Sequence, residues 1–521
     1  MARVHKTKTQ QLDRKWATLI TVCIASFLEP LDTTVVVVAL PTIQRSLDAS
    51  FAELQWIVSA YTLTFAAFLM TGGTLGDRFG RRRIFITGLT LFAVMSLLCG
   101  LAPSPLVLNL ARGAQGLGAA LTFTITLALL VQEFHGRERA MAFGIWGALQ
   151  GAGLSLGPLI GGLVTAGLGW RWIFLGNVPV CAFAIWLTLA KVRESRDPET
   201  GGLDWVGLVT FTTALFLLIF ALVTGNEHGW GSLLIVGALV GVLVMLGAFL
   251  AVELRQRRPM FDLKLFRNGT FTGASLVAVI QSISFFTFFI YLPLYFQGVL
   301  GFSPVQAGLA LLPLNAPLFV MGILSGKIVS RLPTRVLLSA GLAINGLGLL
   351  WMKGLGADSG WTALLGGSLV AGIGCGLSLG EVSNVAIGIV PDERSGMASG
   401  INNTMRQVGF ALGVAGLGAI LTQRISSRLF DLTWGTPAAV DEHNTNLVNM
   451  VAAGDFSRAA ASFPPEAQRL FTQAAKESFI SGIDFILLVA AVIAIVGAVL
   501  AFVLVRTRDI PKHQRPVTPT G

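Results

Sequence analysis

Residues 16–40 read WATLITVCIASFLEPLDTTVVVVAL, an apolar run that follows a short basic start. A helix of about 20 apolar residues can cross a bilayer, whereas the apolar core of a signal peptide spans only about 7–15 residues. We therefore interpret this run as a retained first membrane span. Two acids, Glu29 and Asp32, interrupt it.

The composition extends this interpretation to the whole chain. Of 521 residues, 54% are hydrophobic and 12% are charged, whereas an average soluble chain has roughly 25% charged residues. Fourteen spans of about 20 residues would use nearly the whole apolar inventory. The sequence predicts an all-α polytopic membrane protein and excludes a soluble enzyme, a disordered chain and a disulfide-rich secreted domain.

Apolar runs separated by Gly, Pro or charged residues predict fourteen spans, which places both termini on one side. The predicted bounds are 16–40, 54–76, 84–102, 105–131, 139–166, 172–190, 203–224, 231–253, 270–298, 305–329, 335–355, 361–390, 395–423 and 479–505. The predicted domains are a tail (1–15), a six-helix bundle (16–190), a linker with two inserted helices (191–269), a second six-helix bundle (270–505) and a tail (506–521). Within the second bundle, 424–478 is predicted to be an extracytoplasmic loop with a short surface helix from Pro465.

The basic residues set the predicted orientation. Lys and Arg number 26 on the side of the termini and 3 in the alternate short loops. Cytoplasmic loops carry the basic excess, so both termini are predicted to be cytoplasmic and the protein to lie in the cell membrane. This distribution accounts for the net charge of +10 without a nucleic-acid partner.

Two segments repeat across the chain. Met141, Gly144, Gly153 and Gly157 correspond to Met397, Gly400, Gly409 and Gly413 at an offset of 256, and Gly73, Asp77 and Arg78 correspond to Gly326, Ser330 and Arg331 at an offset of 253. Two related halves predict pseudo-symmetry about an axis normal to the membrane, with a working cavity between them. Spans seven and eight have no counterpart and are interpreted as an insertion.

The loop after span two, residues 73–83, reads GTLGDRFGRRR. One interpretation is a basic cytoplasmic loop with a single neutralising acid. The other is a conformational latch, an ion pair between Asp77 and Arg78 or Arg81 that forms in one conformation and opens in another. Composition alone does not separate the two.

Together with this loop, three further motifs resemble the major facilitator superfamily, and within it the fourteen-span drug:proton antiporters. They are LDTTVVVVALP (31–41), LNLARGAQGLGAA (108–120) and GLSLGPLIGG (153–162). The resemblance implies two six-helix bundles plus two inserted helices, and alternating access driven by the proton-motive force. Two positions depart from the pattern: Val37 replaces a usual asparagine, and Ser330 replaces the latch acid in the second half.

The motif in span five also has a physical interpretation of its own. Gly153, Gly157 and Gly161 recur every four residues and form a flat stripe that permits close helix contact. Pro158 removes a backbone donor and bends the helix. Packing alone can explain such a stripe, but its place beside a kink favours a hinge or seal.

Charged residues inside the bilayer are costly and therefore mark candidate functional sites. Asp32 and Arg112 are predicted to lie nearly level, about 13 Å and about 10 Å from the outer surface. They could form a static pair that neutralises both charges. Alternatively they form a proton-coupling site, in which Asp32 titrates because an arginine does not lose its proton. Glu29 lies on the same helical face and could bind a second proton or a cationic substrate.

Further candidates for the substrate cavity are Gln115 in span four, Glu381 in span twelve and Arg406 in span thirteen. Arg406 needs a partner, for which we predict Glu381. The aromatic residues of span nine are predicted to face mostly lipid or neighbouring helices, with a minority lining the cavity.

These predictions favour a proton-driven exporter of small hydrophobic or cationic drugs that works as a monomer. An exporter of one endogenous metabolite or lipid would use the same machinery, and a proton-coupled importer is disfavoured by the motif in span five. A membrane sensor would need an output domain that the sequence lacks. The sequence contains no ATP-binding loop, no cluster of metal ligands and no nucleophile–base pair, so we predict neither an enzyme nor a cofactor.

Overall fold

The structure, a computed structural model, describes residues 2–134, 136–196, 204–256, 261–329, 332–356, 359–390, 395–441, 444–506 and 509. Within these ranges every regular element is a helix. The predictions for Ser330, Arg331 and the tail after residue 509 lie outside the described residues.

The first bundle and the insertion contain nine helices of the described chain. They are α1 (Ala2–Leu47), α2 (Phe51–Phe79), α3 (Arg81–Gly100), α4 (Pro105–Glu133), α5 (Gly136–Gly167), α6 (Arg171–Leu175), α7 (Asn177–Lys191), α8 (Trp205–His228) and α9 (Leu233–Arg255). The predicted tail 1–15 is not a separate segment, because α1 already begins at Ala2. Ser50 and Glu53 form a capping box that starts α2, and Gly80, with φ of 108°, makes the break before α3.

The second bundle contains the remaining α-helices of the described residues. They are α10 (Gly269–Gln281), α11 (Phe288–Leu294), α12 (Pro304–Ala310), α13 (Leu312–Val329), α14 (Thr334–Trp351), α15 (Thr362–Gly388), α16 (Ser395–Thr433), α17 (Thr445–Ala452), α18 (Phe456–Ala460) and α19 (Pro465–Leu504).

The described residues form up to fourteen membrane spans, as predicted. Twelve are long apolar segments, and two more are bent pairs, one within 51–79 and one made by α12 and α13. The two bundles repeat the same packing: α1 packs on α5 and both α2 and α3 on α4, while α10 packs on α16 and both α13 and α14 on α15. The inserted α8 and α9 pair with each other, and α8 also contacts α2 and α16.

Two segments differ from the sequence prediction. Pro465 does not start a separate surface helix but begins α19, because no Gly or Pro interrupts the chain before residue 482 and one face, including Phe471 and Phe479, is buried. Span nine is interrupted by π-helical turns at 282–286 and 295–299. Most of its aromatic side chains, including Tyr291 and Tyr295, lie in the protein core, so they pack on neighbouring helices, the second of the two predicted environments, and not on lipid.

Candidate functional site

A buried ion pair lies in the first bundle. The Asp32 carboxylate on α1 accepts a hydrogen bond from Nη1 of Arg112 on α4. The exposed fraction is 0% for the Asp32 side chain and 1% for that of Arg112. Both charges are therefore removed from water, which is costly unless each group finds further polar partners.

Polar side chains from three more positions supply those partners. Asn177 donates to Asp32 Oδ1 (2.9 Å), as does Gln115 Nε2 (3.3 Å), while Gln115 Oε1 accepts from Arg112 Nη1 (2.7 Å). Ser96 accepts from Asn177 (3.1 Å) and Gln115 (3.3 Å) and donates to the carbonyl of Phe174 (2.8 Å). We call Asp32, Arg112, Gln115, Asn177 and Ser96 the Asp32 network.

Arg112 also contacts groups that do not depend on Asp32. Its Nε donates to the carbonyl oxygen of Ile57 (3.2 Å), and its guanidinium lies 4.2 Å from the ring centroid of Tyr61. A cation over an aromatic face is stabilised by the ring quadrupole. The guanidinium therefore keeps favourable contacts if Asp32 becomes neutral.

The structure changes three of the predicted cavity assignments. Gln115 is fully buried in the Asp32 network, so it does not face a cavity. Glu381 is not the partner of Arg406: it accepts hydrogen bonds from Thr334 (3.1 Å), the first residue of α14, and from Asn384 (3.4 Å). Arg406 instead donates to Ser383 (3.1 Å).

Arg406 faces Glu29 across the two bundles. The two side chains interact electrostatically, and Glu29 also interacts with Asp32 on the next turn of α1. Both Glu29 and Arg406 are half-buried, and the buried Nε of Arg406 has no hydrogen-bond partner among the described residues. These opposite charges can orient a polar or cationic group between the bundles.

The second bundle has a polar counterpart of the Asp32 network without charge. Gln281 on α10 donates to Ser378 (2.9 Å) and to the carbonyl of Cys375 (3.0 Å), and Asn345 on α14 donates to Ser284 (3.0 Å). These helices pack as their counterparts do in the first bundle. Among the described residues, this counterpart therefore contains no carboxylate that corresponds to Asp32 of the first bundle.

The predicted latch residues occupy two different environments. Asp77 pairs with Arg81 of the same segment, with 2.8 Å between Oδ1 and Nη2. Arg78 is exposed and lies over the ring of Phe79 at 5.5 Å. The neighbouring Arg82 donates to the carbonyl of Leu189 (2.7 Å) at the end of α7. In this conformation Asp77 is thus paired with an arginine of its own bundle, the first one.

The glycine stripe of α5 packs against α1 next to Asp32. A Cβ added at Gly153 would lie 2.6 Å from the carbonyl oxygen of Phe27, and one at Gly161 2.6 Å from that of Val35, while Gly157 packs on Thr34. The second bundle repeats this contact with Gly409 and Gly413 of α16 against the span that begins with α10.

The adjacent face of α5 contacts the other bundle. Gly162 packs on the backbone of Pro304, and Gly308 of α12 packs on the backbone of Pro158. Pro158 therefore lies at the seam between the bundles, and α5 links the helix of Asp32 to that seam.

Further contacts close the seam at the end that carries residues 48–50, which we call the distal end. Gln297 donates to the carbonyl of Val38 (2.8 Å), Gln55 donates to that of Val414 (2.8 Å), and Arg458 pairs with Asp48. Each contact joins the first bundle to the second, so the distal end is closed in this conformation.

Sequence reasoning missed Asn177, Ser96 and Tyr61. A signal existed for Asn177, since it is an amide inside the otherwise apolar span 172–190. Ser96 and Tyr61 carry no such signal, because only the packing of α2 and α3 on α4 brings Tyr61 to Arg112 and Ser96 to Gln115.

The duplicated bundles, the buried ion pair and the seam define a multi-pass membrane transporter, not an enzyme. The family model of the Major Facilitator Superfamily matches residues 22–414, and the chain belongs to that family.

The chain is also similar to individual proteins. It is 37% identical to the multidrug resistance protein Stp of Mycobacterium tuberculosis, over 92% of this chain and 90% of that protein. It is 32% identical to the tetracenomycin C resistance and export protein of Streptomyces glaucescens, over 94% and 91%. A bacterial homologue of the human lysosomal transporter Spinster has the same fold, with a TM-score of 0.64 and 19% identity over 96% of this chain and 99% of that one.

Proposed function

We propose that the protein exports small hydrophobic or cationic drugs in exchange for protons, by alternating access. The observation that carries this proposal is the fully buried Asp32–Arg112 pair within the Asp32 network. Burial favours the neutral form of a carboxyl group, whereas a nearby cation and hydrogen-bond donors favour its charged form, and loss of the ion pair on protonation costs less where the cation keeps other partners. Arg112 has them in Gln115, Ile57 and Tyr61.

Protonation of Asp32 would weaken its pair with Arg112, which would stay on these other partners, and would change the packing of α1. Because α1 lies on the glycine stripe of α5, and α5 meets α12 at the seam, the change would reach the contact between the bundles. The distal contacts would then separate and the latch at Asp77 would exchange partners. We propose that the distal end faces the cell exterior and that both termini are cytoplasmic, as the distribution of Lys and Arg favours.

Two observations support the substrate class. Relatives over most of the chain are named as multidrug resistance and antibiotic export proteins. Glu29 interacts electrostatically with Asp32 of its own helix and with Arg406 of the other bundle, and a carboxylate there would attract a cationic drug. An exporter of one endogenous metabolite would share this site, and a resistance profile separates the two.

The test expresses the protein in a host that lacks its own pumps and measures susceptibility to unrelated hydrophobic cations and antibiotics. Resistance to several classes is expected. Asp32→Asn should abolish efflux driven by a proton gradient in proteoliposomes without loss of membrane insertion. The matched control is Asp431→Asn, an exposed acid of α16. Normal efflux by Asp32→Asn would overturn the proposal, and resistance to a single compound would favour the metabolite exporter.

A further inference from the structure

A cavity lies at the distal end of the second bundle, away from the Asp32 network. It has a volume of about 660 Å³ and lies between the C-terminal end of α14, the C-terminal part of α16 and the middle of α19. Its charged lining consists of Lys353, Arg424, Arg428, Glu477 and Asp484. The proposed transport reaction uses none of these residues.

The acids of this cavity are already engaged. Asp484 accepts hydrogen bonds from the backbone N–H groups of Gly354 (3.0 Å) and Leu355 (3.3 Å), which fixes the loop that carries Lys353. Glu477 accepts from the side-chain amide of Gln473 (3.1 Å). These donors orient both carboxylates, and the lining of three basic and two acidic side chains has a formal excess of one positive charge.

Within the part of the chain that the structure describes, no ion pair involves Lys353, Arg424 or Arg428. Arg424 and Arg428 are four residues apart and so lie side by side on α16, and the guanidinium of Arg424 lies 5.5 Å from the ring of Phe485. The cavity thus presents a cluster of unpaired cations, which suits a phosphate group.

The wall of the cavity continues into an exposed apolar surface. Phe485 lines the cavity and is 41% exposed. Residues at helical spacing extend this face along α19 towards its end, namely Val492, Val496, Val499 and Val503, each at least 50% exposed. An apolar stripe on a membrane span faces acyl chains, and here it leads directly into the basic cavity.

We infer that this cavity binds a phospholipid with an anionic head group: the phosphate contacts Lys353, Arg424 and Arg428, and an acyl chain lies along α19 from Phe485. A free phosphate would account for the cations but not for the apolar stripe. The position at the distal end places the lipid in the leaflet on that side. This inference does not depend on proton coupling or on the substrate.

The experiment measures lipid binding to the purified full chain by native mass spectrometry, with phosphatidylglycerol, phosphatidylcholine and inorganic phosphate as the three probes. Wild type should bind phosphatidylglycerol more tightly than phosphatidylcholine. The double variant Arg424→Gln/Arg428→Gln should bind phosphatidylglycerol about 30-fold more weakly, if each basic side chain contributes as expected near an anionic surface. The matched control is Arg469→Gln/Lys476→Gln, which removes two charges from α19 outside the cavity.

Melting in detergent distinguishes lost binding from misfolding, because a folded variant should keep the wild-type melting temperature in the absence of added lipid. Three results would overturn the inference. They are equal binding of the two lipids by wild type, an equal loss in the control variant, and displacement of phosphatidylglycerol by millimolar inorganic phosphate, which would identify a soluble anion as the ligand.

Discussion

The double variant Asp32→Asn/Arg112→Gln separates a proton-coupling site from a static ion pair. Asp32→Asn alone leaves a buried guanidinium without its counter-charge, and breaking a buried pair in this way costs about 3–5 kcal/mol. We expect the lower end of that range, because Arg112 keeps the carbonyl oxygen of Ile57 (3.2 Å), Oε1 of Gln115 (2.7 Å) and the ring of Tyr61.

Removing both charges should recover part of the folding stability that Asp32→Asn loses. Neighbours in one network typically show interaction energies of about 0.5–3 kcal/mol, so the double variant should be more stable than Asp32→Asn. A thiol-reactive fluorescent dye can follow unfolding, since Cys23, Cys99, Cys181 and Cys375 are all free and buried. Export in proteoliposomes under an imposed proton gradient is measured on the same preparations.

The two interpretations predict different transport by the double variant. If the pair couples protons, the variant folds but does not export against a gradient, because no titratable group remains in the network. If the pair only neutralises two charges, export returns together with stability. Near wild-type export by the double variant would therefore refute the coupling role of Asp32.

Three further predictions concern the latch, the seam and the distal ion pair. Asp77→Asn should lower turnover more than drug binding. It should change folding stability by less than about 1 kcal/mol, because the pair with Arg81 is partly exposed. Unchanged turnover would contradict a latch role for Asp77. Gly162→Ala places a Cβ 3.0 Å from the Pro304 carbonyl carbon. Such overpacking typically costs about 1–3 kcal/mol of stability, and at this seam it should slow export. The control Gly147→Ala, on the open side of α5, should leave the export rate unchanged. The Arg458 guanidinium lowers the pKa of Asp48 below its ordinary value of 3.8. The pair therefore contributes to folding stability above pH 3.8, and this contribution is lost as the pH falls through the lower pKa of the folded state. Asp48→Asn should then leave the pH profile of export between about pH 5 and 8 unchanged in shape, and a shifted midpoint would contradict this.

The membrane spans could be predicted from the sequence because a bilayer imposes a minimum length on each apolar run. Helix ends were harder to predict. Pro465 looked like the start of a separate surface helix. The polar segment that follows it instead continues without a break into the apolar run, and the two form one helix, α19. Polar sequence therefore marks the limit of the hydrocarbon core more reliably than the limit of a helix.

The charged centre of the site was predictable, and its surroundings were not. Asp32 and Arg112 stand out because charges are rare in membrane spans. Gln115 and Asn177 are neutral, so their place in the Asp32 network depends on rotation of α4 and α7 that the sequence does not determine. The same holds for Arg406, whose neighbour is Glu29 of the opposite bundle and not Glu381, because pairing across the bundles depends on the conformation of the transporter.

Proton release on drug binding tests the central claim most directly. Purified protein in weakly buffered detergent solution is mixed with tetraphenylphosphonium, and a pH indicator records the protons that appear. Wild type should release protons in proportion to bound drug, whereas Asp32→Asn should bind the cation and release none. Equal proton release from Asp32→Asn and wild type would contradict the account.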